Sequence, residues 1–173
     1  MKTKPRPKEE KPTFKSNLRT MKSSRVFVRM DVLHDNHCGL TTDSPERLRD
    51  FWQMIVAEQP DHEAEKENLV VVLMNSRLRP YAWHRVSIGT ANECTAHPRE
   101  ILRPAIVGAA YAFALMHNHP SGEPSPSKAD EAVTERILQA CNLMGTQFCD
   151  RVIVGSEVEG ALSYYSFTEA GLI

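Results

Sequence analysis

The hydrophobic positions of the chain follow two periods, one typical of strands and one typical of helices. Residues 25–33 have the β-branched and aromatic content of a strand, and residues 69–74 form a continuous apolar run typical of a strand buried on both faces. Residues 81–90 predict a partner strand, and the turn-like residues between the two runs predict a hairpin. The apolar segments 111–116 and 151–155 predict two further strands.

Three segments between these strands have the apolar spacing of amphipathic helices. In the first, Ser44 can cap the helix, Pro45 suits its first position, and the helix is expected to end before Pro60. Its inner positions are Leu48, Phe51, Trp52, Ile55 and Val56. The second helix begins at Pro98, and Pro104 is expected to kink or shorten it.

The third helix is predicted to begin at Ser127 and to end near Met144, since Gly145 is placed to stop it. Its inner stripe consists of Val133, Ile137, Leu138 and Cys141. Because strands and helices alternate with short connections, the predicted fold class is α/β, with a mixed β-sheet flanked by helices. Binding sites in such sheets gather at the carboxyl ends of strands, so the residues that follow 111–116 are of interest.

Length and charge divide the chain into a tail and one domain. A chain of 173 residues with 41% hydrophobic residues can form one compact domain, which we assign to residues 25–173. Residues 1–22 carry eight Lys or Arg against Glu9 and Glu10, a balance of +6 that leaves −7 for the rest of a chain of net charge −1. We predict that residues 1–24 form a disordered basic tail, which could contact nucleic acid weakly through counterion release.

Two absences in the sequence bear on the compartment of the protein. No run of about 18 apolar residues occurs, and the N-terminus lacks the apolar centre of a secretory signal, so we predict a cytoplasmic protein with no membrane contact. The cysteines form no C-x-x-C pair, which favours reduced structural thiols over a zinc ribbon or a thioredoxin-type site. They are Cys38, Cys94, Cys141 and Cys149. The sequence does not predict the oligomeric state.

Two histidines stand one residue apart at the end of the predicted strand 111–116. Side chains at positions i and i+2 of a strand point to the same face, so His117 and His119 can present two imidazoles to one point while Asn118 faces away. Two neutral imidazoles are half of a zinc site; a catalytic site needs a third ligand and keeps the fourth position for water. Asp130 is the candidate, because the loop before it can fold back and bring the next helix beside the histidines.

Each of these residues also has a purely structural interpretation. Ser127 and Asp130 have the spacing of a capping box, in which both side chains only satisfy the first turn of a helix. His117 and His119 could be core histidines bonded to the backbone. The joint order of strand, loop and helix favours the metal site over these separate interpretations. The letters H-N-H do not indicate an HNH nuclease, whose three named residues are spread over a ββα unit.

The spacing His-x-His, seven residues, Ser, two residues, Asp resembles the JAMM signature of the JAB/MPN metalloproteases. The stretch H-N-H-P-S-G, preceded by H-P-R-E-I-L-R-P-A-I and followed by V-I-V-G and Y-S-F-T-E-A-G-L-I, resembles the RadC-like branch over residues 44–173. The resemblance implies a JAB/MPN fold with a cytidine-deaminase-like architecture. It also implies one Zn²⁺ ion, held by His117, His119 and Asp130.

The resemblance further implies a glutamate before the first core strand that acts as general base. Glu67 stands at that position, whereas Glu63 and Glu65 are expected to be solvated. The chemistry requires such a group, because zinc lowers the pKa of a bound water and a carboxylate outside the coordination shell must accept its proton. Ser127 has two competing roles that the sequence leaves open, which are helix capping and hydrogen bonding to the oxyanion.

The leading hypothesis is a zinc metallohydrolase of the JAMM type that cleaves a peptide, isopeptide or related amide bond. Its protein or peptide substrate is not identified by the sequence. Two alternatives stay open: a metal-dependent DNA-processing protein linked to repair or mobile elements, and a non-catalytic MPN-type interaction module. The chain departs from the RadC-like pattern in two respects. The first 40 residues lack the helix-hairpin-helix region of longer relatives, and Arg151 stands where relatives carry His, which puts substrate preference in doubt.

Overall fold

The computed structural model of the chain describes residues 28–33, 40–90, 97–159 and 161–173. Its strands are β1 (Asp31–Val32), β2 (Asn68–Met74), β3 (Pro80–Ile88), β4 (Ala112–Asn118), β5 (Gln147–Val158) and β6 (Ala161–Ser166). Within the described ranges they form one sheet in the order β1-β3-β2-β4-β5-β6. Strands β4 and β5 are parallel and the other neighbours are antiparallel. The predicted α/β class with a mixed sheet is confirmed.

Several predictions concern residues outside the described ranges. These are the disordered tail 1–24, the first part of the strand 25–33, and the state of Cys38 and Cys94. The assignment of residues 25–173 to a single domain stays a prediction. The two described cysteines, Cys141 and Cys149, are free. Burial raises the pKa of each thiol to about 11, which keeps them protonated and unreactive, as expected of structural thiols.

Three helices lie in the segments predicted for them: α1 (Pro45–Phe51), α2 (Pro98–Val107) and α3 (Lys128–Met144). The hydroxyl of Ser44 caps α1 by accepting a hydrogen bond from the amide of Arg47. Beyond Phe51 the chain continues as a π-helix over Trp52–Val56, and the helical segment ends before Pro60 as predicted. Its apolar positions are buried against the sheet, as the spacing predicts.

Helices α2 and α3 differ in how well the sequence predicts their ends. Pro104 does not stop α2, which continues past it to Val107. The end of α3 agrees with its prediction, because Gly145 adopts the left-handed conformation at φ +67 and its amide donates to the carbonyl of Cys141. The inner positions of α3 are buried or half-buried against the sheet, as its apolar spacing predicts.

Alternation along β2 and β4 divides the core between the two faces of the sheet. One face packs against α2 and α3, and its cluster includes Leu69, Val71, Ile101, Leu115 and Ile137. The other face packs against α1 and the π-helix, and its cluster includes Phe51, Trp52, Val70, Val72 and Met116. Since neighbouring side chains of a strand point to opposite faces, His117 continues the α3 face of β4 and Asn118 continues the α1 face.

The predicted hairpin of β2 and β3 is confirmed, whereas β5 is longer than predicted. The sequence predicts a strand over 151–155 only, but residues from Gln147 pair with β4, and residues as far as Val158 pair with β6. The residues of β5 before 151 and after 155 lie largely outside the apolar run, so the hydrophobic pattern does not predict them as strand. Among the helices that the structure describes, none has both the length and the apolar character needed to cross a membrane.

The loop between β4 and α3 passes directly over Gly155 in β5. A side-chain carbon on Gly155 would overlap the carbonyl oxygen of Gly122 and the hydroxyl of Ser163. We expect Gly155→Ala to lower the free energy of unfolding by about 3 kcal/mol or more, because backbone atoms must move to remove the overlap. Urea unfolding measures the loss. The comparator Gly145→Ala meets no atom within 4 Å and should lose about 1–2 kcal/mol for its left-handed backbone. Equal losses would contradict the close approach.

Candidate metal centre

The two predicted histidine ligands lie at the carboxyl end of β4, in the middle of the sheet. His117 pairs with Leu69 of β2 and is 1% exposed. Beyond the end of β4, the amide of His119 donates to the carbonyl of Val154 at 2.9 Å, so the chain continues beside β5. Both imidazoles lie on the face that packs against α3, as their period-two spacing predicts.

Backbone hydrogen bonds fold the loop between β4 and α3 back over the end of β5. Gly122 donates to the carbonyl of His119 at 2.9 Å, and Ser156 donates to the carbonyl of Gly122 at 3.0 Å. The helix then begins with the predicted capping box. The hydroxyl of Ser127 accepts from the amide of Asp130 at 3.2 Å, and the carboxylate of Asp130 accepts from the amide of Ser127 at 2.8 Å. The box holds Asp130 in the first turn of α3, beside the histidines.

Three donor atoms converge at this point, one each from His117, His119 and Asp130, which we call the donor group. Nε2 of His117 lies 3.1 Å from Nε2 of His119. Oδ1 of Asp130 lies 3.3 Å from Nε2 of His117, and Oδ2 lies 3.8 Å from Nε2 of His119. Two nitrogen ligands at ordinary zinc distances in a tetrahedral site are about 3.3 Å apart, so the spacing of the imidazoles fits one ion. Within the described ranges, this is the one group of three metal-ligating side chains whose donor atoms come together.

Hydrogen bonding prepares His119 for coordination through Nε2. Its Nδ1 lies 2.9 Å from the carbonyl oxygen of Glu123. Since a carbonyl only accepts, Nδ1 carries the proton in the neutral ring and Nε2 keeps its lone pair. Nδ1 of His117 is buried and has no hydrogen-bond partner among the described residues. A buried imidazole without a second partner favours the neutral ring, which is the form that binds a metal.

The protonation states of the three residues differ. Burial lowers the pKa of His117 to about 4, so this imidazole is neutral at neutral pH. The carboxylate of Asp130 beside the ring raises the pKa of His119. Burial by itself would raise the pKa of Asp130, but the two neighbouring histidines and the charge of Arg151 hold it well below its usual range. The carboxylate is therefore ionised and available to a cation.

Arg151 is the buried counterion of Asp130. The guanidinium is 4% exposed, and its Nη2 lies 2.5 Å from Oδ1 of Asp130. Its Nη1 donates to the backbone carbonyl of Asp130 at 2.6 Å and to the hydroxyl of Thr134 at 3.0 Å. The side chain therefore joins β5 to the first turn of α3. Arg151 thus places a permanent positive charge against a predicted metal ligand.

Glu67 precedes β2 at the same end of the sheet. Glu67 lies two residues before Leu69, which pairs with His117 at the last paired position of β2 and β4. The backbone of Glu67 is held by β3, since its amide donates to the carbonyl of Thr90 at 3.0 Å and its carbonyl accepts from Gly89 at 2.8 Å. The charge of Glu67 also contributes to the raised pKa of His119, after the larger effect of Asp130. The fold thus brings Glu67 close to the donor group, and its role as base stays a prediction.

The other polar residues near the site have structural contacts. Glu63 and Glu65 are exposed, as predicted, and Glu63 pairs with Lys66 at 2.6 Å. His97, which the sequence does not include among the ligands, caps α2. The hydroxyl of Ser127 donates to Oδ2 of Asp130 at 2.6 Å, so its single proton points to the carboxylate. Donation to an oxyanion requires rotation of that hydroxyl and stays a prediction.

Comparison with known protein families agrees with this geometry. The family model described as RadC-like JAB domain matches residues 42–172. The chain is a RadC-like JAB-domain protein. The predicted family is confirmed, and the matched RadC-like JAB domain includes Glu67, both histidines, Ser127 and Asp130.

The sequence alone does not predict the contacts of Asn118 and Arg151 in the RadC-like JAB domain. It predicts only that Asn118 faces away from the histidines, whereas the side chain of Asn118 is bonded to the segment that precedes Glu67. It identifies Arg151 only as a departure from the family pattern. The available signal in both cases is a polar side chain inside a buried strand, because such a side chain needs a hydrogen-bond partner.

The contacts of Arg151 predict a large contribution to stability. We expect Arg151→Met to lower the free energy of unfolding of the metal-free chain by about 3–5 kcal/mol, because it leaves the carboxylate of Asp130, whose side chain is only 13% exposed, without its buried counterion. Urea unfolding measures the change. The control is Arg49→Met, because Arg49 pairs with Asp50, whose side chain is 46% exposed, and should lose about 0–1 kcal/mol. Similar losses in both variants would contradict the buried pair.

The protonation states predict how metal affinity depends on pH. The charged form of His119 carries a second ring proton on Nε2, and this proton must leave before Nε2 can bind a metal. His117, with a pKa of about 4, is already neutral. The metal affinity therefore has its full value above the raised pKa of His119, and it falls as the pH drops through that pKa. Between about pH 4 and pH 6.5, we expect Zn²⁺ affinity to fall about tenfold per pH unit. Competition with a chelator measures the slope, and a slope of two protons would contradict the neutral state of His117.

Proposed function

We propose that this RadC-like JAB-domain protein is a zinc-dependent hydrolase that cleaves a peptide, isopeptide or related amide bond. The observation that carries the proposal is the convergence of His117, His119 and Asp130 at the end of a central strand. The position of Glu67, whose charge contributes to the raised pKa of His119, supports it, since hydrolysis requires a base near the three ligand residues. The substrate would be a protein or peptide, because those molecules carry the bonds on which this chemistry acts.

The composition of the donor group favours zinc. Two imidazoles and one carboxylate are a ligand set suited to zinc, whereas magnesium and calcium favour sites built of oxygen ligands. Three protein ligands also leave a fourth position open, as in catalytic sites. When bound, a zinc ion supplies a Lewis acid that polarises a carbonyl oxygen and lowers the pKa of a water molecule.

The side chains of the protein supply the proton transfers and the orientation. Glu67 accepts a proton from the attacking water and passes it to the amine leaving group. Ser127 and Arg151 bond to different oxygens of the Asp130 carboxylate and keep it oriented toward the histidines. Rotation of the Ser127 hydroxyl toward the substrate would provide a donor to the oxyanion, so capping and catalysis would use the same group at different stages.

The two alternative functions have weaker support. The DNA-processing alternative is supported by the basic charge of segment 1–24, which lies outside the described residues. The non-catalytic alternative describes domains that have lost their ligands, whereas here three donor atoms lie within 4.8 Å of one another. The arrangement therefore favours an enzyme.

Substitution of Glu67 by Gln tests the proposal. The amide keeps the shape of the side chain but cannot accept a proton at neutral pH. We expect hydrolysis of peptide and isopeptide probes with a fluorescent amine leaving group to fall by about 10²–10⁴-fold, with zinc content unchanged. Elemental analysis measures the zinc, and fluorescence measures the released amine.

The matched control is Glu65→Gln, an exposed position in the same segment, which should keep full activity. A chain that folds without zinc and hydrolyses no probe after zinc is added would overturn the proposal. Nicking of plasmid DNA that disappears in His119→Ala, without amide hydrolysis, would instead favour the DNA-processing alternative.

A further inference from the structure

We propose that Asn118, which lies between the two histidines, is a positioning residue that holds Glu67 in place for proton transfer. The inference rests on the proposed function, because it assumes that Glu67 is the base. The side chain of Asn118 lies on the α1 face of β4, opposite to the imidazoles. It therefore acts from behind the sheet and does not contact the donor group.

Asn118 connects the end of β4 to the segment that leads into β2. Its side chain is almost fully buried, at 8% exposure for the residue. Its Oδ1 accepts from the amide of Asn68 at 2.8 Å, and its Nδ2 donates to the carbonyl of Lys66 at 3.0 Å and of Ala64 at 3.3 Å. The backbone pairing of β2 with β4 ends at Leu69. The amide of Asn118 therefore continues the connection between the two strands beyond their last paired residues.

These hydrogen bonds enclose Glu67 on both sides along the chain. Lys66 precedes Glu67 and Asn68 follows it, and each is bonded to the side chain of Asn118. The amide and carbonyl of Glu67 itself are bonded in the opposite direction, to the residues that follow β3. The backbone at Glu67 is thus held between two neighbouring strands.

A second amide makes the segment compact and also reaches Asn118. Nδ2 of Asn68 donates to the carbonyls of Glu63 and Lys66, each at 2.8 Å, and to Oδ1 of Asn118 at 3.4 Å. On the β4 side, these bonds meet at the side chain of Asn118, which relates the residues on either side of Glu67 to the strand that carries His117. A shift of that strand would therefore move the base together with the ligands.

This arrangement has a mechanistic reason. A base must lie within hydrogen-bond reach of the proton that it accepts, and a displacement of about 1 Å can cost about 10²-fold in rate. Glu67 is not among the three converging donors, so no metal–ligand bond would fix its position. The buried amide of Asn118 supplies that constraint from the opposite face of the sheet.

The test uses the full-length chain loaded with Co²⁺, whose visible absorption reports the surroundings of the ion. We expect Glu67→Gln to move the pH midpoint of the spectral change by roughly 1 unit, because a charge next to the site is removed. Asn118→Ala should move the midpoint in the same direction by about half of that shift or more. Its Co²⁺ affinity should change by less than about tenfold, since no partner of a ligand is lost.

A structural measurement accompanies the spectra. Hydrogen–deuterium exchange of peptides covering residues 63–69 should be faster in Asn118→Ala than in the wild type. The matched control is Asn75→Ala, at the opposite end of β2. Oδ1 of Asn75 accepts from the amides of Arg77 and Arg79 at 2.9 and 3.2 Å in an exposed turn. This control should change neither the midpoint nor the exchange of residues 63–69.

The outcomes separate the two proposals. A midpoint that moves in Glu67→Gln but not in Asn118→Ala would overturn this inference and leave the proposed function standing. A midpoint that moves in neither variant would overturn the assignment of Glu67 as base and this inference with it. Loss of Co²⁺ binding in Asn118→Ala would show that Asn118 positions the histidines and not Glu67. That result would also overturn this inference. If Asn118→Ala does not fold, Asn118→Ser, whose hydroxyl is too short for these contacts, carries the same expectations.

Discussion

The carboxylate of Asp130 is the point at which the main elements of the site meet. A buried charge is costly unless it is compensated by partners in good geometry. Asp130 has such partners from α3 through Ser127, from β5 through Arg151, and from β4 through the two histidines. The helix start, the parallel strand pair and the end of β4 must therefore be correctly placed together, and the convergence of metal-ligating atoms depends on this one group.

The central strand β4 carries different chemistry on its two faces. From Ala112 to Met116 it is completely buried and apolar, and its last residues are polar. His117 and His119 face α3, while Asn118 faces the segment before β2. One short stretch thus provides metal ligands on one face and a structural amide on the other, so both functions share the rigidity of a strand in the middle of the sheet.

Arg151 gives the site a permanent positive charge. An arginine carries a positive charge at all relevant pH values and has no lone pair for a metal, so it can act only as a donor and a counterion. In this site it holds one carboxylate oxygen and one backbone carbonyl of the same residue, Asp130. The position of Arg151 in β5 therefore carries a fixed positive charge beside Asp130.

Features that depend on short spacings could be predicted from the amino-acid sequence alone. The i, i+2 spacing places His117 and His119 on one face, and the capping box places Asp130 in the first turn of α3, because local backbone geometry is sufficient for both. Two contacts between distant residues became visible only in the folded chain: Asn118 bonds to Asn68, fifty positions away, and Arg151 pairs with Asp130. Such contacts depend on strand order and register, and the continuous apolar runs of β2 and β4 are compatible with several registers.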